Sequence, residues 1–353
     1  MKIGGSGRRR GLSRATNPKL DGFGGLPYPP GGSRPISPAP WSEDRAQAIA
    51  NRIAAGRAGA VKKIRVSEAV SLFKIETESG DFVARVTPSS KPLKQMQAEV
   101  DLARHLSKQG VPVARPYGNA FELDGGHVTM WHHVKHSDMK VSGALGGQVL
   151  AKMHNALIIA DPAIFDPIAL CEATFAQFKE ASWLSESEKS IIAQLIPEAK
   201  ELWEAIMTDY PPELFTHVHA DFHLGNMMLT SKKKAILHDF EVSVSCQPEY
   251  RPCVGPPEYD FLRMEHSVIR FKRPQKSLTD FYAQYEAGGR EVNRELTKRI
   301  LPIADLVATL GFGVRCDNEP TVREFRTRIQ SIHARDTTAR WVGFGDLKKA
   351  SRN

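Results

Sequence analysis

The stretch His219-Ala-Asp221-Phe-His-Leu-Gly-Asn226, followed thirteen residues after Asn226 by Asp239-Phe-Glu241, groups side chains suited to one chemistry in this 353-residue chain. Phosphoryl transfer asks for such a set. One carboxylate must orient an acceptor hydroxyl and take its proton, while an amide oxygen and a second carboxylate hold magnesium against nucleotide phosphates. Asp221 and Asn226 can stand at the two ends of one short loop, and Asp239 returns beside them from the neighbouring strand. On this reading Asp221 is the base, and Asn226 and Asp239 are the magnesium ligands. A rival reading uses the same stretch, because His217, His219, Asp221 and His223 place four possible zinc ligands at alternating positions, as zinc hydrolases do. That reading has Phe222 where a metallo-β-lactamase-like pattern puts His directly after Asp, and it leaves Asn226 and Asp239 without a role.

The elements that must position these groups follow from periodicity. Ser42 is an N-cap ahead of Glu43 and Asp44, with Ala46, Ile49, Ala50 and Ile53 at helical spacing and Gly56 as a stop. The period then changes: runs over 60–66, 70–77 and 82–86 predict an antiparallel meander turned by Glu78-Ser79-Gly80-Asp81. A helix is expected from about Ser90 to Gln109, then strands over 120–123 and 127–133 joined by Asp124-Gly125-Gly126. Beyond residue 140 helices are expected at 144–157, 172–181, 186–208, 258–270, 277–288, 292–311 and 320–333. Only the strand pair 227–229 and 235–237 interrupts them, linked by Ser231-Lys232-Lys233-Lys234. A strand-rich front half and a helix-rich back half make an α+β protein of two lobes, with ligands expected between them.

With these elements laid out, the sequence resembles the kinase-like phosphotransferases of the aminoglycoside phosphotransferase and choline kinase group, whose catalytic loop reads His-x-Asp-x-x-x-x-Asn. The landmarks span residues 66 to 262. The resemblance implies a bilobal protein-kinase-like fold, with a nucleotide-binding lobe over 42–133, a catalytic and acceptor-binding lobe over 134–335 and a basic tail over 336–353. It implies ATP or GTP with Mg2+ as cofactors and a small-molecule hydroxyl, such as that of an aminoglycoside-like antibiotic or an amino alcohol, as acceptor. Arg85 is then the nucleotide-phosphate anchor and Glu99 its ion-pair partner. His219 organises the loop, Leu145-Gly146 to Met153-His154 matches the family's helix ending in a Leu-His-like pair, and Asp260 is the structural Asp after the metal-binding strand.

Two departures stand out. The phosphate-covering hairpin Val66 to Ser71 has no glycine, which leaves Ser67 or Ser71 as the substitute contact. The stretch Cys246-Gln-Pro-Glu-Tyr-Arg-Pro-Cys253 is longer than the family's connection; it shapes the acceptor pocket or is a surface insertion. Glu241 is either a third acid near magnesium or simply polar. Pro257-Glu258 is faintly similar to the end of a protein-kinase activation loop, but Glu241 stands where a protein kinase has Gly. A non-catalytic nucleotide-binding scaffold is the other alternative.

Composition agrees with a globular protein, at 41% hydrophobic and 25% charged residues. The net charge of +8 suggests a nucleic-acid partner until it is divided along the chain: residues 1–41 carry +6, residues 323–353 carry +5 and the remainder −3. The basicity is terminal, so no specific nucleic-acid partner is expected. Residues 1–41 hold nine Gly and seven Pro without periodicity and are expected to be a disordered arm. No run approaches the ~18–20 apolar residues of a membrane span. Four scattered cysteines without a CxxC pair favour a reducing, cytoplasmic setting over a disulfide scaffold or zinc knuckle. Glu241, Glu249, Glu258 and Glu265 are the acids expected to draw a cationic acceptor.

Overall fold

The computed structural model describes residues 41–57, 59–66, 70–245 and 249–350. The expected arm, apart from Trp41, and Ser67 lie outside them, as does the start of the Cys246 stretch. Helix α1 (Glu43–Ala55) begins where Ser42 Oγ accepts the Arg45 amide and ends at Gly56. Then come β1 (Ala60–Val66), β2 (Ser71–Thr77), β3 (Gly80–Pro88), α2 (Leu93–Lys108), β4 (Phe121–Leu123) and β5 (Gly126–His132). The strands form one antiparallel sheet in the order β1-β2-β3-β5-β4.

The two-residue period of a strand sorts β3 between two faces. Phe82, Ala84 and Val86 join Phe73, Ile75, Val128 and Met130 in a core covered by Ala46, Ile49, Ala50 and Ile53 of α1. Arg85, in register with Leu72 and Thr129, therefore projects from the opposite face, toward α2. Helix α2 starts later than the expected Ser90, because Pro92 holds an extended ψ of 131° and opens the helix without a side-chain cap. Residues 89–92 become a connection instead, closed by the Lys91 amide on the Pro88 carbonyl.

The second half runs β6 (His136–Ser137), α3 (Gly143–His154), β7 (Ala163–Ile164), α4 (Pro167–Ala176), α5 (Glu186–Asp209), β8 (Thr216–His217), β9 (Met227–Thr230) and β10 (Ala235–Leu237). It continues through α6 (Glu241–Ser245), β11 (Cys253–Gly255), α7 (Leu262–Ile269), α8 (Gln275–Ala287), α9 (Arg294–Gly313), α10 (Glu319–His333) and α11 (Phe344–Ala350). One core joins α2, α3, β9, β10, α7 and α8 through Leu106, Leu150, Leu229, Leu237, Met264 and Phe281. A second joins α4, α5, α9 and α10 through Trp203, Ile300 and Phe325. The α+β division into an antiparallel-sheet front and a helical back is as expected.

Four local expectations are corrected. The helix placed at 172–181 is α4, which starts five residues earlier because Asp166 accepts the amides of Ile168 and Ala169 and Pro167 occupies the first turn. The span 258–270 divides into a 3-10 turn, Pro257–Phe261, and α7. The Cys246 stretch is not wholly a surface insertion: Glu249 is exposed, but the last residue, Cys253, opens β11, which is buried and pairs parallel with β7 and antiparallel with β8. The segment from 336, expected as a tail, packs on the helical lobe. Trp341 is buried against Arg270 and Arg328, its amide donates to the Arg270 carbonyl, and the Val342 amide donates to Glu324.

Candidate active site

Strand β8 delivers the chain to His219, Ala220 and Asp221, and Asp260 holds it there. Both oxygens of this buried carboxylate accept backbone amides, Oδ2 from His219 and Oδ1 from Ala220, each at 2.7 Å. Oδ2 also accepts Nε2–H of His154 at 3.1 Å. Because a carboxylate only accepts, His154 carries its proton on Nε2 and takes the Tyr285 hydroxyl at Nδ1, 2.8 Å away. Burial lowers the pKa of His154 and keeps it neutral, although Asp260 pulls the other way. Ala220 has φ 66°, which costs a non-glycine residue about 1–2 kcal/mol and is offset by the charge-assisted bonds from Asp260.

The loop then returns through a 3-10 turn, Leu224–Asn226, in which Gly225 N–H donates to Nδ1 of His223. Asn226 is buried, and its Nδ2 donates to the Asp221 carbonyl at 3.0 Å. That bond points the amide's other end, Oδ1, away from the loop. His219 donates Nε2–H to the His238 carbonyl at 3.0 Å, and the His238 amide donates to the Asn226 carbonyl. These bonds lock β10 to the loop, so Asp239 emerges beside it with φ 69° and an exposed side chain.

Arg85 and Glu99 meet as expected, at 2.5 Å. They are not alone. Lys91 Nζ lies 3.0 Å from Glu99 and 2.9 Å from Glu241, and Glu241 lies 2.7 Å from Arg85. Burial opposes the charge on Arg85, but Glu99, Glu241 and Asp239 outweigh it and raise its pKa. Burial likewise would raise Glu241, yet Lys91 and Arg85 hold its carboxyl below the usual range. Periodicity could not reveal Lys91, which sits in a connection.

A second residue missed in the sequence is Arg263, at the start of α7. Its Nε and Nη2 both reach Oδ1 of Asp221, at 2.9 and 2.8 Å. Asp221 Oδ2 is left with a 3.5 Å approach from Asn226 and 3.8 Å from His223, the pKa of which burial lowers. Ser71, expected to touch phosphate, is fully buried at the start of β2, and its Oγ has no partner among the described residues. In this arrangement a phosphate does not reach it.

The zinc arrangement does not assemble. His217 Nε2 lies between the Ile159 amide and the Leu157 carbonyl, His219 turns to His238, and His223 to Gly225. Among the described residues no group of three or more His, Cys, Asp or Glu side chains is arranged to hold a metal ion. Magnesium asks for less, since it keeps several waters and binds through one or two carboxylates plus phosphates. Asp239 and Oδ1 of Asn226 are hard oxygen donors, and neither accepts a hydrogen bond or ion pair among the described residues, so the donor set fits that ion.

The acids expected to draw a cationic acceptor are engaged internally. Glu241 faces Lys91 and Arg85, Glu249 pairs with Arg251, Glu258 is buried near the Tyr210 hydroxyl, and Glu265 accepts from Tyr282. A separate cavity of about 860 Å3, lined by Tyr210, Glu258, Arg290, Asn293 and Arg299 among others, includes none of Arg85, Lys91, Glu99, Asp221, Asn226 and Asp239. Among the described residues no helix is long and apolar enough to cross a membrane.

Comparisons with known proteins bear on the fold and the family. The aminopropanol kinase associated with a microcompartment superposes with a TM-score of 0.58 at 16% identity, covering 81% of this chain and 95% of that one. Choline kinase from Streptococcus pneumoniae gives 0.56 at 14% identity, covering 82% and 98%. A spectinomycin phosphotransferase solved with ADP and spectinomycin gives 0.50 at 14% identity, covering 86% and 93%. Each is a likeness of fold. No curated protein matches the chain by sequence. The phosphotransferase enzyme family matches residues 61–296, which include the sheet, the Arg85–Glu99 pair and the whole Asp221 loop. With two thirds of its length matched and its fold shared with choline and antibiotic kinases, the chain belongs to the phosphotransferase enzyme family and is a small-molecule kinase.

Proposed function

We propose that the chain moves the γ-phosphoryl group of ATP, with Mg2+, to a hydroxyl of a small molecule. One observation carries this reading: the Asn226 amide bonds the Asp221 carbonyl, and His238, the residue before Asp239, is tied to the same loop through His219 and the Asn226 carbonyl, so the three groups sit at one loop and the end of the strand beside it. Asp221 orients the acceptor hydroxyl and takes its proton through Oδ2 as the new O–P bond forms and ADP leaves, while Arg263 holds Oδ1. Arg85 steadies the nucleotide phosphates. Asn226 and Asp239 would hold magnesium, which when bound neutralises charge on the transferred group. The ADP complex of the spectinomycin enzyme supports an adenine nucleotide over GTP. The engagement of all four acids argues against an acidic patch as the basis of acceptor choice, so amino alcohols, aminoglycosides and sugars enter the test equally.

The test incubates the protein with Mg-ATP and a panel of those alcohols and reads the acceptor's gain of one phosphoryl group by mass. Turnover should fall by about 10²–10⁴-fold in Asp221→Asn, the usual loss of general-base help, with ADP affinity nearly unchanged. ADP binding without phosphorylation of any acceptor would favour a nucleotide-binding scaffold instead.

A further inference from the structure

Arg85, Glu99, Lys91 and Glu241 form a closed ring of alternating charge. Its four contacts are Arg85–Glu99 at 2.5 Å, Glu99–Lys91 at 3.0 Å, Lys91–Glu241 at 2.9 Å and Glu241–Arg85 at 2.7 Å. The corners differ in exposure. The side chain of Glu99 is 2% exposed and those of both cations 13%, whereas that of Glu241 is 42% exposed. Glu241 is thus the lid on the outward face of two otherwise covered cations. The ring is neutral; without Glu241 it carries one net positive charge beside the Asp239 loop. Lys91 is held for this position from its backbone, since its amide donates to Pro88 and its carbonyl accepts Nδ1–H of His127 at 2.6 Å. Its ammonium lies within ion-pair distance of both carboxylates.

A buried cation pair with an acid over its open face suits an anion with several oxygens, which supplies more acceptors than one carboxylate can. We propose that Lys91 is a second phosphate-anchoring cation of this chain and that Glu241 occupies the anion position on Arg85 and Lys91 until nucleotide phosphates replace it. This inference rests on the phosphotransferase reading and adds a competition to it. Glu241 lies two residues after Asp239, so its release shifts the segment that bears the metal-facing carboxylate.

The test is calorimetric titration of the full chain with ADP, with and without Mg2+, together with melting of the ligand-free variants. Lys91→Met should weaken ADP binding about tenfold, the loss of one charge-assisted contact. Glu241→Gln should tighten it several-fold in both conditions, and the effect should shrink with added salt. Lys91→Gln keeps the length and polarity of the stem and should weaken binding as Met does, provided it melts like the parent. Unchanged affinity in both Lys91 variants would overturn the proposal, as would weaker binding in Glu241→Gln confined to Mg2+, which would make Glu241 a metal ligand. Parent protein that binds no ADP or GDP would overturn the phosphotransferase reading and this proposal with it.

Discussion

Asp221 has two unequal oxygens. Oδ1 is held by two nitrogens of Arg263, while Oδ2 has only distant neighbours, so in the proposed mechanism the arginine leaves Oδ2 as the oxygen that meets the acceptor hydroxyl. Arg263 therefore acts through Asp221 and is a positioning residue. Arg263→Ala should lower kcat about tenfold or more while leaving the KM for nucleotide unchanged, and Arg263→Lys should recover only part of the loss because a point charge cannot reproduce the two-nitrogen grip. Steady-state kinetics with a substrate from the acceptor screen decides this; a change confined to nucleotide KM would place Arg263 elsewhere in the reaction. The groups proposed to react stand out at this scale, since an Asp, an Asn five residues on and an Asp beyond a hairpin form a local pattern. Arg263 was not, because 42 residues separate it from Asp221 and no period links them.

At the scale of elements, the Asp221 loop packs against α3 and α8, which approach each other closely. A Cβ on Gly147 would come within 2.1 Å of the Phe281 carbonyl oxygen, and one on Gly143 within 1.9 Å of that of Ser277. Backbone cannot yield as a side chain can. At Gly146 the obstacle is Cδ2 of Leu224, the far end of a flexible side chain. Gly147→Ala should therefore destabilise the fold by about 2–3 kcal/mol, in the range of an overpacked core, and Gly146→Ala by about 1 kcal/mol or less. Denaturant unfolding of the two variants side by side checks the order; equal losses would contradict it. The sequence showed α3 as a helix, but not that its glycines face a neighbouring backbone, which depends on how closely two elements separated by more than a hundred residues pack.

For the whole molecule, buried imidazoles tie stability to pH. His217 in β8 is fully buried, and burial lowers its pKa from 6.5 to about 4. The unfolded chain thus binds the proton first as pH falls. Its contribution is complete above about 6.5 and is lost progressively toward 4, amounting to at most about 3 kcal/mol. His154 and His266, also buried with lowered pKa, act in the same direction. Unfolding free energy measured from pH 7.5 down to 4.5 should fall, and His217→Gln should make that fall shallower; an unchanged slope would show that His217 is not protonated on unfolding.

The pairing of Arg85 with Glu99 was implied by the family resemblance; by itself the sequence determined the two kinds of lobe, the order of most elements, the pattern of the Asp221 loop and the faces on which Arg85 and Glu99 lie. Each is written in short-range terms: a strand alternates faces every two residues, which puts Arg85 opposite the core of Phe82, Ala84 and Val86, and a helix repeats closely enough to turn Glu99 inward. Tertiary structure alone decided the rest. The β7-β11-β8 sheet is made of strands two or three residues long, too short to show any period, and the segment around Trp341 reads as a basic tail until Arg270 and Arg328 are seen to bury it. Glu241 meets Arg85 across 156 residues, and Ser71 is lost as a phosphate contact by burial. Such juxtapositions depend on which surfaces the cores bring together, and local backbone preference carries no record of them.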